Sequence, residues 1–268
     1  GMAISPDGRM IAFVARSSRS VPALFVREIG AIAPRQLEGT EGAGAPFWSP
    51  DSRSIGFFAE GRLKRVEASG GLPRDICAAA SLDGGSWNQN GTILFSAGPG
   101  PLYGVSAAGG EPSAITALDN SEKEQGHALP DFLPDGRHYL YMSYGGGPKY
   151  AVYLGSLGSK EKTRLLSDVG MAAYAEPGYL LFYRGKTLFA QPFDARKLVF
   201  AGEPVGIADN LLISRYGVPS FGISQTGVLI HRSGTGYAQS QFFWFDRSGK
   251  RLGSAGDPGM YQEVFDLS

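Results

Sequence analysis

Short apolar segments separated by tight polar turns run along the whole chain. In the clearest example, Phe47-Trp48-Ser49 leads into a Pro50-Asp51-Ser52 turn, after which the chain is apolar again through residues 55–58. Proline presets the backbone angle at the first corner of a turn, and an aspartate side chain accepts hydrogen bonds from backbone groups just beyond it. Since the flanking segments are rich in aromatic and branched residues, the stretch predicts a β-hairpin.

The same hairpin pattern recurs along the chain. The copies have their turns at Asp7, Asp51, Asn90, Asp135, Gly178 and Thr226, spaced 39 to 48 residues apart. A third apolar segment follows each hairpin, and in several copies a glycine-rich turn and a short fourth segment come next, as in residues 70–76. A β-patterned repeat of this length is typical of the four-stranded blade of a β-propeller, in which each blade buries its faces only against its neighbours.

The sequence therefore predicts an all-β fold: one β-propeller domain of four-stranded antiparallel blades. Six blades are expected, at about residues 3–39, 44–79, 84–118, 128–167, 171–208 and 218–256, with residues 261–268 as a closing strand in the innermost position of blade one. A seven-bladed propeller or an incomplete fragment is the alternative. Because both ends read as interrupted inner strands, we expect the chain to be a piece of a longer protein.

Composition narrows the classes of function. Of the 268 residues, 25 are basic and 25 acidic, and no basic run stands out, so nucleic-acid binding is not expected. The single cysteine excludes an intramolecular disulfide and most zinc sites. No run of about 18 apolar residues occurs, so direct membrane insertion by this segment is not expected.

No catalytic motif is complete. Gly185-Lys186-Thr187 resembles the end of a phosphate-binding loop, but position 180 is leucine and no helix follows. There is no Gly-X-Ser-X-Gly nucleophile elbow. The three histidines, at positions 127, 138 and 231, do not have metal-ligand spacing. The sequence therefore predicts no catalytic residue, no cofactor and no metal in this segment.

The connections into the inner strands are the candidate binding region, because they ring one mouth of a propeller channel. His127 lies in such a connection beside Glu124 and Asp131, although a solvated loop histidine without function is the simpler interpretation. The residues predicted to form a binding surface at the channel mouth are His127, Tyr174, Arg215, Tyr216 and Tyr261.

The segments 47–52 and 61–66 resemble the TolB-type, WD-like propeller repeat, and the copies at 4–13 and 132–141 extend this resemblance to essentially the whole chain. Segments 84–95 and 244–253 are similar to a bacterial group in which such repeats follow a eukaryotic-like serine/threonine kinase domain or stand as Tol-like proteins. The resemblance implies a sensor or protein-docking platform without catalytic residues. It favours a periplasmic or extracytoplasmic location, with the cytoplasm as the alternative.

The function expected from the sequence is a non-catalytic scaffold that binds a protein, a peptide or a small ligand through its channel-mouth loops. Two enzyme hypotheses stand beside it. The first is a lyase or hydrolase acting at the channel mouth around His127 and Tyr216. The second is the propeller gate of a prolyl-oligopeptidase-like peptidase whose catalytic domain lies outside this segment.

Overall fold

The structure is a computed structural model that describes residues 1–16, 21–79, 84–146, 150–212, 220–232, 240–245 and 251–259, the last two ranges as backbone only. Every regular secondary-structure element in these ranges is a β-strand, and most of the strands form four-stranded antiparallel sheets in chain order. The structure thus confirms an all-β propeller with four-stranded antiparallel blades.

Five blades are complete, each running from an innermost to an outer strand. Blade one contains β1 (Met2–Ile4), β2 (Met10–Ala15), β3 (Ala23–Glu28) and β4 (Arg35–Gln36). Blade two contains β5 (Gly44–Trp48), β6 (Ser54–Ala59), β7 (Arg62–Glu67) and β8 (Arg74–Ala78). Blade three contains β9 (Gly85–Trp87), β10 (Thr92–Ser96), β11 (Leu102–Ser106) and β12 (Ser113–Ala114).

Blade four contains β13 (Gly126–Phe132), β14 (His138–Tyr144), β15 (Tyr150–Ser156) and β16 (Lys162–Ser167). Blade five contains β17 (Ala172–Ala175), β18 (Tyr179–Arg184), β19 (Thr187–Asp194) and β20 (Val199–Phe200), and β21 (Val205–Ala208) also pairs with β19.

The expected count of six blades needs correction. The region 218–256 does not form one four-stranded sheet in its described parts. It contains two separate hairpins: β22 (Phe221–Ile223) with β23 (Leu229–His231), and β24 (Ser240–Phe245) with β25 (Arg251–Gly259). Strands β22 and β23 have three residues each, so their ladder is short, and no ladder of the described residues joins β23 to β24.

The expected closing strand at residues 261–268 stays a prediction. The innermost position of blade one is taken by β1, which pairs with β2 in the register Ala3 with Ala12. Residues 261–268 lie outside the described residues.

The innermost strands follow one another around a ring. Strand β1 contacts β5, and the series continues through β9, β13 and β17 to β22, which contacts β1 in turn. Among the described residues, each innermost strand pairs with only one strand of its own blade, so its other edge faces the channel. The exception is the start of β13, where Gly126 forms a bridge with Gly100 of blade three. Because every blade has the same strand order, the connections between blades lie at one end of this channel, here called the mouth. The hairpin turns that leave the innermost strands lie at the other end, here called the turn end.

The Pro-Asp turns have the local capping role expected from the sequence. At the second blade, Ser49 Oγ donates to Asp51 Oδ1 (2.6 Å), and the Arg53 amide donates to the same oxygen (3.1 Å). The hydrogen bond from Ser49 is the main reason that the pKa of Asp51 lies below its usual value. Neighbouring turns are also joined, since the Asp7 amide donates to Ser52 Oγ (3.1 Å).

The hydrophobic core is divided among the junctions between blades. Phe47, Phe58 and Phe95 form a tilted aromatic series between blades two and three, with ring centroids 6.2 Å apart. The Phe47 ring lies directly over Gly56 of its own blade and against Gly85 of the next. Similar clusters fill the junctions of blades one and two, three and four, and four and five, and a further one joins blade five to the β22–β23 hairpin.

Replacing Gly56 by alanine tests this packing. The added Cβ would overlap Cε2 and Cζ of Phe47, so Gly56→Ala is expected to lower the free energy of unfolding by about 1–3 kcal/mol, measured by urea denaturation. Gly206→Ala is the matched control, because its Cβ would meet Thr187 Cγ2 at an ordinary 3.4 Å. Equal losses in the two variants would contradict the packing argument.

Candidate functional site

Two of the five predicted binding residues, His127 and Tyr174, lie within the described residues, and they are not neighbours in the site that was expected. His127 is the second residue of β13, near the mouth. Tyr174 is the third residue of β17 and pairs with Leu180 next to the β17–β18 turn, which places it at the turn end. Arg215, Tyr216 and Tyr261 lie outside the described residues, so their binding role stays a prediction.

His127 is fully buried, so the interpretation as a solvated loop histidine is wrong. Its Nδ1 lies 2.7 Å from Thr116 Oγ1, and its Nε2 lies 3.2 Å from Glu124 Oε2. The edge of the ring packs against Tyr141, with centroids 4.8 Å apart. Burial lowers the pKa of His127, although Glu124 opposes this effect. These contacts fit a neutral imidazole that donates from Nε2 to Glu124 and accepts from the Thr116 hydroxyl at Nδ1.

Glu124 is the centre of this buried group. Besides His127, its carboxylate accepts hydrogen bonds from the Asp119 amide (2.7 Å), Ser143 Oγ (2.9 Å) and Lys162 Nζ (2.7 Å). Burial alone would raise the pKa of Glu124, but the bonds from Lys162, the Asp119 amide and Ser143 together hold it below its usual value. We call the set Thr116, Glu124, His127, Ser143 and Lys162 the latch, because it fixes the connection between blades three and four.

A second layer of charged contacts covers the latch. The Arg164 guanidinium donates through Nη2 to both oxygens of Glu122 and through Nε to the Tyr153 hydroxyl (3.0 Å). Lys162 Nζ lies 4.8 Å from the centroid of the Tyr153 ring, within range of a cation–π contact. The connection that carries Glu122 and Glu124 is therefore held onto blade four by two carboxylates.

The hydroxyl, imidazole and carboxylate of the latch stand in the order of a nucleophile, base and orienting acid. Their surroundings argue for a structural role, because the imidazole is sealed from solvent and the Thr116 hydroxyl also accepts the Leu102 amide (2.8 Å). Thr40 holds the Leu24 amide in the same way in blade one (3.0 Å), and its hydroxyl donates to the Leu37 carbonyl. The threonine is thus a repeated structural element.

Asp131 is the functional candidate that the sequence reasoning missed. Its Oδ2 accepts the amide of Tyr174 (2.9 Å), which belongs to the neighbouring inner strand. Tyr174 pairs with β18 through its other side, so the amide bound by Asp131 lies on the edge of β17 that faces the channel. The carboxylate therefore lies in the channel wall, between blades four and five.

The environment of Asp131 is unfavourable for a charge. The residue keeps some solvent exposure, but protein atoms enclose the carboxylate, as expected for a group that lines a channel. Burial raises the pKa of Asp131 to about 6, and the hydrogen bond from the Tyr174 amide offsets only part of this effect. No ion pair to Asp131 is found among the described residues.

The Tyr174 side chain is half-buried and packs against the core between blades four and five. Its hydroxyl lies 3.5 Å from Glu176 Oε2. Burial and the Glu176 carboxylate raise the pKa of Tyr174. Tyr174 therefore has two roles in the structure: its amide binds Asp131 and its ring stabilises the junction between the blades.

The part of the chain that the structure describes contains neither a candidate metal cluster nor a candidate membrane-spanning helix. Within these ranges, no group of three or more histidine, cysteine, aspartate or glutamate residues is placed to hold a metal ion. The same residues contain no helix with the length and apolar character needed to span a bilayer.

The fold defines the class of protein: the chain is a β-propeller, and its structural neighbours include TolB proteins. It superposes on TolB from Acinetobacter baumannii with a TM-score of 0.61 at 16% identity, covering 78% of this chain and 54% of that one. It superposes on a prolyl endopeptidase with a TM-score of 0.51 at 14% identity, covering 93% of this chain and 42% of that one. At such identities, these likenesses concern the fold alone.

Sequence comparison gives one curated relative of note. The chain is 26% identical over 141 residues to the uncharacterized peptidase YuxL of Bacillus subtilis (strain 168), a match that covers 52% of this chain and 21% of that protein. No protein-family model matches the chain. The chain thus spans about half the length of the TolB structure and about a fifth of YuxL. The TolB-type resemblance expected from the repeats is confirmed at the level of the fold, and the link to kinases stays a prediction.

The latch can be tested by Glu124→Gln. Loss of the charge weakens the bonds from Lys162 and His127 in a buried place, so we expect the free energy of unfolding at pH 7 to fall by about 2–4 kcal/mol. Because the folded-state pKa of Glu124 is lowered, this contribution is present above about pH 4.5 and is lost as the pH falls. The difference between wild type and variant should therefore shrink in acid.

Glu60→Gln is the matched control for the latch. Glu60 also pairs with a lysine, Lys64, but its side chain is 72% exposed. Its loss should change the free energy of unfolding by less than about 1 kcal/mol. If the two variants were equally stable in urea denaturation at pH 7, the latch would not hold the connection as described.

For Asp131 we predict a pH dependence of stability opposite to that of Glu124. The folded-state pKa of Asp131 is raised from 3.8 to about 6. The contribution of its protonated form to the free energy of unfolding is therefore fully present below about pH 4 and is lost as the pH rises through 6. Asp131→Asn keeps an oxygen acceptor for the Tyr174 amide and removes the charge. We expect the variant to be more stable than wild type by about 1–3 kcal/mol at pH 7 and about equal at pH 3.5, measured by urea denaturation. A variant less stable at pH 7 would show that the carboxylate charge is stabilising.

Proposed function

We propose that this propeller is a non-catalytic recognition domain that binds a protein or peptide partner at its channel. The observation that carries the proposal is the contrast between the latch and the channel. The latch uses its hydroxyl, imidazole and carboxylate for bonds within the protein, whereas Asp131 holds a charge in the channel wall without an ion-pair partner among the described residues. A sealed triad does not supply catalysis, and a costly charge in a channel suits binding.

A protein or peptide is the favoured partner, with a small ligand as the alternative. The ring of innermost strands leaves a channel whose mouth is lined by exposed connection residues such as Glu41 and Lys123. Neither side chain makes a hydrogen bond or ion pair with the described residues, so both are available to a partner. The TolB neighbours support a docking role of this kind, as a Tol-like protein or as the sensor region of a receptor-type kinase outside the cytoplasm.

We also propose that the β22–β23 hairpin and the β24–β25 hairpin belong to one sixth blade. Support comes from β22, which lies between β17 and β1 and occupies the place of a sixth innermost strand. A sixth unit would make the ring complete without a gap between blades five and one.

A second candidate function is the propeller gate of a peptidase. The YuxL match and the superposition on a prolyl endopeptidase favour it. In that case the channel would admit peptides to a catalytic domain elsewhere in the protein. The full-length reading frame separates the two functions: a nucleophile elbow downstream supports the peptidase, and a kinase signature upstream supports the receptor.

Peptide selection tests the binding proposal. Peptides selected from a random phage-displayed library on the wild-type domain would be measured by fluorescence anisotropy against Glu41→Arg and Lys123→Glu. If partners bind at the mouth, we expect at least one reversal to weaken binding about fivefold or more, because rim charges steer and orient partners. The control is Glu111→Arg, an exposed residue between β11 and β12 at the turn end, which should leave affinity within about twofold. Selection without any binding peptide, or equal losses in all three variants, would contradict the proposal.

A further inference from the structure

Asp131 differs in charge from the residues at the same position of the other repeated units. Aligned on the residue whose carbonyl accepts the amide that closes each hairpin turn, its position is filled by Ala3, Phe47, Ser86, Asp131, Ala173 and Gly222. Each of these residues pairs with the second strand of its hairpin, as shown by Phe47 with Gly56, Ser86 with Leu94 and Asp131 with Leu140. Asp131 is the charged member of this set, and no feature of the repeat demands a charge there.

Adjacent inner strands are bonded through this position at three junctions. Ser86 Oγ accepts the Phe132 amide (3.0 Å), and Asp131 Oδ2 accepts the Tyr174 amide (2.9 Å). At the first junction, the Ala3 carbonyl accepts Trp48 Nε1 (3.1 Å). In each case the donor residue directly follows the aligned residue of the neighbouring inner strand. A neutral oxygen is therefore sufficient for the structural task, as Ser86 demonstrates one junction away.

The carboxylate thus carries a charge and an oxygen that the fold does not use. Oδ2 holds the Tyr174 amide, while Oδ1 accepts no hydrogen bond from the described residues. Among the described residues no charged side chain forms an ion pair with Asp131, and the influences on its pKa are burial and the Tyr174 amide. Burial raises the pKa of Asp131 to about 6, and a bound cation would reverse this effect.

We propose that Asp131 is the binding site for a single organic cation in the channel, the ammonium or guanidinium group of a lysine, an arginine or the amino terminus of a peptide. This inference rests on the proposed function, because it supposes that a peptide enters the channel. Ammonium and guanidinium groups donate directed hydrogen bonds to a carboxylate, and such bonds are strong where water is partly excluded.

A divalent metal fits the site less well. Calcium takes six to eight oxygen ligands, often from several carboxylates. Asp131 belongs to no group of three or more candidate ligands among the described residues. One carboxylate with one free oxygen matches the valence of an organic monocation, and it leaves most of the coordination shell of a metal ion unfilled.

Nuclear magnetic resonance can test this site with small probes. The wild-type chain would be titrated with n-butylammonium up to about 100 mM, with n-butanol as the uncharged control and tetramethylammonium as the cation without N–H donors, all at constant ionic strength. The readouts are the chemical shift of the Tyr174 amide and the pKa of the Asp131 carboxyl group. We expect n-butylammonium to shift the amide in a saturable manner and to lower the pKa by at least half a unit, whereas the two controls have little effect.

Two variants make the test specific. Asp131→Asn removes the charge and keeps an acceptor for the Tyr174 amide, and Asp131→Ser copies the neutral arrangement of Ser86. In both, the response of the Tyr174 amide to n-butylammonium should be lost while the amide spectrum stays that of a folded propeller. A wild-type amide that ignores n-butylammonium, equal responses to all three probes, or an undiminished response in a folded variant would overturn the proposal.

The outcome is separable from that of the proposed function. Peptides that depend on Glu41 or Lys123 while n-butylammonium leaves Asp131 unaffected would support recognition at the mouth and refute the cation site. A response to n-butylammonium without any selected peptide would support the cation site and refute peptide recognition at the mouth.

Discussion

The structure depends on one packing constraint: a four-stranded blade cannot bury both of its faces by itself. Each apolar face must be covered by the next blade, so the core is divided into clusters at the junctions, and the blades must follow one another around a ring. The fit at a junction is close. Phe47 occupies space that exists only because positions 56 and 85 carry no side chain beyond hydrogen. Burial of such aromatic rings supplies the main favourable free energy of the fold.

Polar groups at the junctions complement this packing in two ways. Near the mouth, the latch satisfies a buried carboxylate with four kinds of donor and fixes the connection into blade four. At the turn end, single hydrogen bonds join neighbouring inner strands, and one of them involves Asp131. The charge of Glu124 in the latch is compensated by Lys162, whereas the charge of Asp131 has no ion-pair partner in the part of the chain that the structure describes. This difference separates a structural polar cluster from a candidate for recognition.

The repeat made the fold predictable from the sequence, while the site was only partly predictable. Turns such as Pro50-Asp51-Ser52 mark the hairpins in the sequence, so the four-stranded antiparallel blade could be predicted from the repeat. The sixth unit was harder, because its turn around Thr226 departs from the pattern and its first two strands are short. Proximity along the chain led to His127, but whether a histidine is buried depends on contacts from Thr116 and Tyr141, which local sequence does not report. Asp131 could have been found by asking which aligned inner-strand position carries a charge.

The contact between blade one and the β22–β23 hairpin has a mechanical consequence. Strand β1 forms its ladder with β2, and β22 forms its ladder with β23, so no backbone ladder of the described residues crosses this junction. The units are joined by packing and by contacts such as the Gln225 amide with the Pro6 carbonyl (3.0 Å). Because packing and single hydrogen bonds hold this junction, we expect it to yield under a pulling force or partial denaturation before the strands within a blade separate. The ring can then open at this junction while the strands within each blade stay paired.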